Sequence, residues 1–167
     1  MRRAVLFSCV GVAVLALAAV GSAVAAPGGT GHTVTQTDNF HGSNPTTDAN
    51  PCTGNTIDLQ QQSNIVQHVT FFPGGDEVWG TFTEEDKVTG TDEGTGVVYT
   101  GHSTVWGNFN VNEKNANNTF TSSANLSAVD ENGVVHVEVG HEVAHVSWNA
   151  VDQAPTVSFD KMSFTCS

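Results

Sequence analysis

From His32 to Ser167 the chain carries almost no apolar period of three to four residues. Runs rich in Thr, Val, Phe and Trp are broken instead by Gly, Asn and Asp. A helix needs the longer period to bury a face, whereas a strand needs only alternation, so this text argues against a helical bundle and predicts an all-β chain. Strands are expected at residues 32–41, 55–60, 64–72, 77–85, 96–111, 118–129, 133–148 and 155–166.

Turn chemistry joins them. Pro73-Gly74-Gly75-Asp76 supplies a fixed φ followed by residues that tolerate positive φ, and Asp130-Glu131-Asn132-Gly133 ends in a strong hairpin dipeptide. The stretches 92–96 and 115–118 read as longer loops. Two prolines between Asn44 and Cys52 predict an irregular segment there. About eight strands in sequence leave a closed antiparallel β-barrel or a two-sheet β-sandwich. Gly101, Gly107 and Gly140 inside long strands favour the barrel, because glycine permits sharp coiling.

The first 26 residues read as a secretory signal peptide: Arg2 and Arg3, an uncharged apolar run from Ala4 to Val20, then small residues ending at Ala26. A membrane anchor is the competing reading of that run. Cys9 lies near its start, whereas a lipid-bearing cysteine would follow it. Residues 27–31 read as a flexible leader and 32–167 as one domain. After cleavage three lysines face 17 acids with no arginine, a formal charge of −14. Such a surface repels phosphate backbones and anionic headgroups, which argues against nucleic-acid and membrane-surface partners. Cys52 and Cys166 are expected to pair in an exported, extracellular protein. No C-x-x-C spacing supports a redox role.

The stretch His141-Glu142-Val143-Ala144-His145 matches the zinc-peptidase pattern. That chemistry requires a helix, in which both imidazoles reach one ion and the glutamate activates water beside it. Here the motif sits among Val134, Val135, Val137, Val139, Val143 and Val146, a poor helix and a good strand. In a strand the two histidines stand about 13 Å apart, too far for one zinc. A variant of the pattern with glycine and aspartate further on would place Trp148 and Val151 at those positions, with Asp152 one residue late and Met162 beneath the metal. The secreted zinc metallopeptidase, with His141 and His145 as ligands and Glu142 as base, is therefore the alternative reading.

Alternation places His141 and His145 on the valine-rich side of their strand, expected to face inward, with Glu142 outward. Buried imidazoles need partners, so they either bond across a filled core or line a lumen with His102, Tyr99, Trp106 or His68. A lumen of that kind would hold a small or apolar ligand, or serve a cyclase or isomerase. The acids Asp76, Glu77, Glu84, Glu85, Asp86, Asp92 and Glu93 read as a solvated rim, with Ca²⁺ binding the alternative. No nucleophile elbow, phosphate-binding glycine loop or paired-carboxylate motif is present, and no cofactor is expected. The leading expectation is a secreted non-enzymatic barrel that binds a small ligand or a cell-surface partner.

Several segments carry a resemblance: Asn50-Pro51-Cys52-Thr53-Gly54, Tyr99-Thr100-Gly101-His102, His141-Glu142-Val143-Ala144-His145, Val157-Ser158-Phe159-Asp160-Lys161 and Thr165-Cys166. Together they resemble a group of small secreted β-proteins of actinomycetes. The resemblance implies export, one β-domain and a disulfide, and no reaction. The expected architecture is also loosely similar to allene oxide cyclase and dirigent barrels, by analogy of fold alone.

Overall fold

A computed structural model of the protein describes residues 31–149 and 154–167; the segment expected to be a signal peptide lies outside them. The chain forms seven antiparallel strands: β1 (Val34–Ala49), β2 (Thr56–Phe71), β3 (Glu77–Asp92), β4 (Val98–Asn112), β5 (Asn115–Val129), β6 (Val135–Asn149) and β7 (Ala154–Cys166). Each strand pairs with its sequence neighbours in the order β1 to β7, with no crossover. The all-β class is as expected, but the single sheet is open: β1 and β7 are its two edges, and it closes into neither a barrel nor a sandwich.

Seven strands replace the expected eight because residues 55–60 and 64–72 are one strand. Gln61, Gln62 and Ser63 continue the ladder, opposite Asn44, Ser43 and Gly42 on one side and Val88, Lys87 and Asp86 on the other. The segment expected to be irregular is mostly strand as well. Pro45 sits opposite Gln60 on the edge strand, where a missing N–H leaves no ladder bond unmade. At the start of β5, Asn112 Oδ1 accepts the backbone N–H groups of Lys114 and Asn115, closing a tight turn. Asn115–Asn118 is thereby freed to pair with β6. The hairpins at 73–76 and 130–133 form where the sequence places them, with Gly74, Gly75 and Gly133 at positive φ.

One side of β2–β6 is buried although no second layer covers it among the described residues, so the sheet must coil onto itself. Two apolar clusters occupy this inner face. Val69, Phe82, Val105, Phe109, Phe120 and Ala144 fill one end; Ile57, Leu59, Val88, Tyr99, Leu126 and Ala128 fill the other. Close coiling explains the glycines within the strands. A Cβ on Gly101 would strike the backbone of Asn125 and Leu126, and one on Gly80 would enter the Phe109 ring. Gly101→Ala is therefore expected to lose about 1–3 kcal/mol in a denaturant titration through strained backbone between β4 and β5. Gly42→Ala, with nothing within 4 Å of the added carbon, should differ little from the parent.

The β1–β2 loop is pinned at one end of the inner face. Asp92 Oδ2 accepts from Asn50 Nδ2 (3.2 Å) and Thr53 Oγ1 (2.6 Å), and its Oδ1 from Asn55 Nδ2 (2.8 Å) and the backbone N–H groups of Gly94 and Thr95. Cys52 is bonded to Cys166 as expected, with Cα atoms 5.6 Å apart. The bond ties this loop to the last residues of β7, an arrangement consistent with an oxidising compartment.

Candidate functional site

The two faces of the sheet differ in chemistry, and they invert part of the expected arrangement. On β6 the inner positions are Glu138, Gly140, Glu142 and Ala144, while Val135, Val139 and His141 are exposed outside. The inward placement of His141 and His145 is thus corrected, and Glu142, expected outside, is only 4 % exposed. Inside, a Cβ on Gly140 would lie 3.0 Å from the Phe164 ring. Val135, Val137, Val139 and Val143 share the outer face.

His141 stands opposite Ser123 and Ser163, and His102 opposite Lys87 and Asn125; both are exposed. Trp106 lies outside near Thr83 and Thr121. Tyr99 alone of the five candidates is inside, within the apolar cluster. The five do not converge, and no lumen lined by histidine and tyrosine forms. The zinc-peptidase geometry is absent too, since Glu142 lies on the opposite face from both histidines. No group of three or more metal-ligating side chains occurs among the described residues, for Ca²⁺ as for zinc.

His145 is fixed rather than free. Its Nδ1 is 2.6 Å from Thr119 Oγ1 and its Nε2 is 2.9 Å from Ser147 Oγ, which donates to Asn117 Oδ1 (2.7 Å). Because Ser147 spends its proton on Asn117, it accepts from Nε2–H, and Nδ1 accepts from Thr119. The ring also stacks on Phe159 at 5.7 Å.

These groups belong to a continuous outer band. Across the strands run His68, Thr81, Asn108, Thr119 and His145, and beside them Thr70, Trp79, Asn110, Asn117 and Ser147. A groove of about 430 Å³ is lined by His68, Thr70, Trp79, Thr81, Asn108 and Asn110. Trp79 is 51 % exposed, yet it is held. Its Nε1 donates to Glu77 Oε1 (2.7 Å), which also accepts from Asn110 Nδ2 (3.2 Å), and its ring meets Phe72 edge-on at 5.1 Å. Thr37 Oγ1 lies 2.8 Å from His68 Nδ1 and orients that ring likewise. A second groove, of about 710 Å³, lies further along the sheet, bordered by His41, Gln62, Asn64, Glu85, Lys87 and His102.

The acids expected to form a solvated rim divide by parity. Glu84, Asp86 and Asp92 point inward and are buried, whereas Glu85 and Glu93 remain exposed. Ser103 Oγ donates to Asp86 Oδ2 at 2.5 Å. Burial, then the adjacent Asp86 carboxylate, pushes the Glu84 carboxyl up to about 7. Burial likewise raises Glu138 and Glu142, the latter helped by Asp160. The sequence did hold a signal for this belt: Val78, Phe82 and Val88 share the parity of Glu84 and Asp86 on β3.

With this geometry in view, comparison with protein-family models, curated proteins and solved structures gives no match.

Proposed function

We propose that this is an exported, non-enzymatic binding protein whose ligand is a neutral, hydroxyl-rich chain, a polysaccharide, lying across the outer face at Trp79. The observation that carries the reading is the held but half-exposed indole at the edge of the 430 Å³ groove. A pyranose presents an apolar C–H face that packs on an aromatic plate, and a rim of hydroxyls that both donate and accept. Asn108, Asn110, Thr70, Thr81 and His68 offer partners of both kinds. The size of the groove falls in the range of organic-ligand sites.

Charge favours a neutral ligand over an ionic one. The lining of this groove contains no lysine, arginine or carboxylate, and nearby Glu77 is occupied by Trp79 and Asn110. Preorganisation also favours binding, because Trp79 and His68 are already fixed and lose little freedom on contact. The export expected from the first 26 residues, the disulfide and the resemblance to secreted actinomycete β-proteins fit a role outside the cell, against a wall or matrix.

Affinity electrophoresis through gels containing soluble glucan, mannan or xylan tests the reading. Retardation by at least one is expected, with Trp79→Ala weakening it ten-fold or more and His141→Ala leaving it unchanged. Free migration in all three gels, or a Trp79→Ala protein retarded like the parent, would sink it.

A further inference from the structure

The outer face carries a second exposed indole. Trp106, on β4, is 45 % exposed. The outer positions of β4 run Asn110, Asn108, Trp106, Thr104 and His102. The first two line the 430 Å³ groove and the last borders the 710 Å³ groove, so Trp106 stands between the grooves. Its cross-strand neighbours on that face are Thr83 on β3 and Thr121 on β5.

Register fixes its place relative to Trp79. Trp79 lies opposite Asn110, and Thr83 lies opposite Trp106. The two indoles are therefore four residues apart along the strands, about 13 Å, and one strand apart across them, about 4.8 Å. Because β3 and β4 are paired neighbours, both side chains leave the sheet on the same side. Phe159, another exposed aromatic, is on β7, four strands from Trp79 on a coiling sheet. A straight chain resting on Trp79 reaches Trp106 and not Phe159. The surface between the indoles is neutral, with Thr81, Thr83 and Asn108 exposed on it. Charge begins only at the next outer positions of β3, Glu85 and Lys87.

We infer that the polysaccharide runs along β3 and β4 from Trp79 to Trp106, which serves as a second stacking plate and makes the site selective for chains long enough to cover both. The inference rests on the reading of Trp79 given above, and adds to it a direction, a minimum length and a second residue. A disaccharide covers one plate and is too short for two. In a longer chain the first contact holds the sugars over the second plate, so the second contact forms at high effective concentration. The threonine hydroxyls and the Asn108 amide between the plates supply donors and acceptors for the sugar hydroxyls.

Calorimetric titration of the mature protein with cellobiose and cellohexaose, mannobiose and mannohexaose, and xylobiose and xylohexaose tests it. In at least one pair the hexasaccharide is expected to bind about twenty-fold or more tighter than the disaccharide, beyond the few-fold that alternative registers of a longer chain on one plate supply. Trp106→Ala should reduce the gain to that few-fold, with the disaccharide affinity and the circular dichroism of the parent kept. Trp106→Phe, which retains a plate, should keep most of the gain. A gain of only a few-fold in the parent, or the full gain in a folded Trp106→Ala protein, overturns the inference and leaves the Trp79 site standing. Failure of all six sugars to bind the parent sinks both.

Discussion

Replacing both Cys52 and Cys166 with alanine is expected to lower the free energy of unfolding by about 3–5 kcal/mol. The bond joins residues 114 apart in sequence. In the chain-entropy account, closing a loop of roughly 100 residues restricts the unfolded chain by about 4.7 kcal/mol. The native state adds a local reason. Cys52 lies in the loop whose Asn50 is fully buried and whose Asn50, Thr53 and Asn55 converge on Asp92. The crosslink holds that loop over an open sheet whose edge strands β1 and β7 do not pair. Urea titrations of the oxidised parent and the double variant measure the effect; a loss below about 1 kcal/mol would show that the Asp92 cluster alone holds the loop.

The second large effect concerns pH. Glu84 ionises at an ordinary 4.5 in the unfolded chain and at about 7 when folded, so folding favours its protonated form. Its contribution is fully present below pH 4.5 and is lost as pH rises through about 7. Glu138 and Glu142 are shifted in the same direction, chiefly by burial. Asp92 runs the other way. Burial would raise it, but hydrogen bonds from Thr53, Asn55 and Thr95 prevail and hold it below 3.8, so its contribution is lost as pH falls through that lower value. Stability should therefore peak near pH 4–5 and decline toward pH 8. Glu84→Gln, which mimics the protonated carboxyl, is expected to stabilise the protein by about 2 kcal/mol at pH 8, allowing for solvent screening, and to be nearly neutral at pH 4.5. A stability that rises steadily from pH 5 to pH 8, unchanged by Glu84→Gln, would contradict the buried placement of this carboxyl.

The inner acids were hidden by composition rather than by position. Glu84-Glu85-Asp86 reads as a solvated run because charges are seldom buried unpaired. Alternation with Val78, Phe82 and Val88 nevertheless assigns two of the three to the core side. On β6 the same rule misled. Val135, Val137, Val139 and Val143 outnumber the apolar residues of the opposite parity, so the valine-rich face reads as core. A shift of one residue in that reading exchanges every side chain between faces, and it did so for His141, His145 and Glu142. Trp79 could not be seen as exposed until the coil of the sheet placed it outside and gave it Glu77 and Phe72 as neighbours.

By itself the sequence determined the class of structure, its hairpins at 73–76 and 130–133, its one crosslink and the strand character of the His-Glu-x-x-His stretch. These depend on short-range alternation, on turn residues and on the count of cysteines. Only the tertiary structure decided that the sheet stays open, which side of it is inside, and which scattered residues share a groove. Those outcomes depend on how tightly seven paired strands coil. That in turn depends on contacts between residues far apart in the chain, such as Gly101 against Asn125 and Gly140 against Phe164.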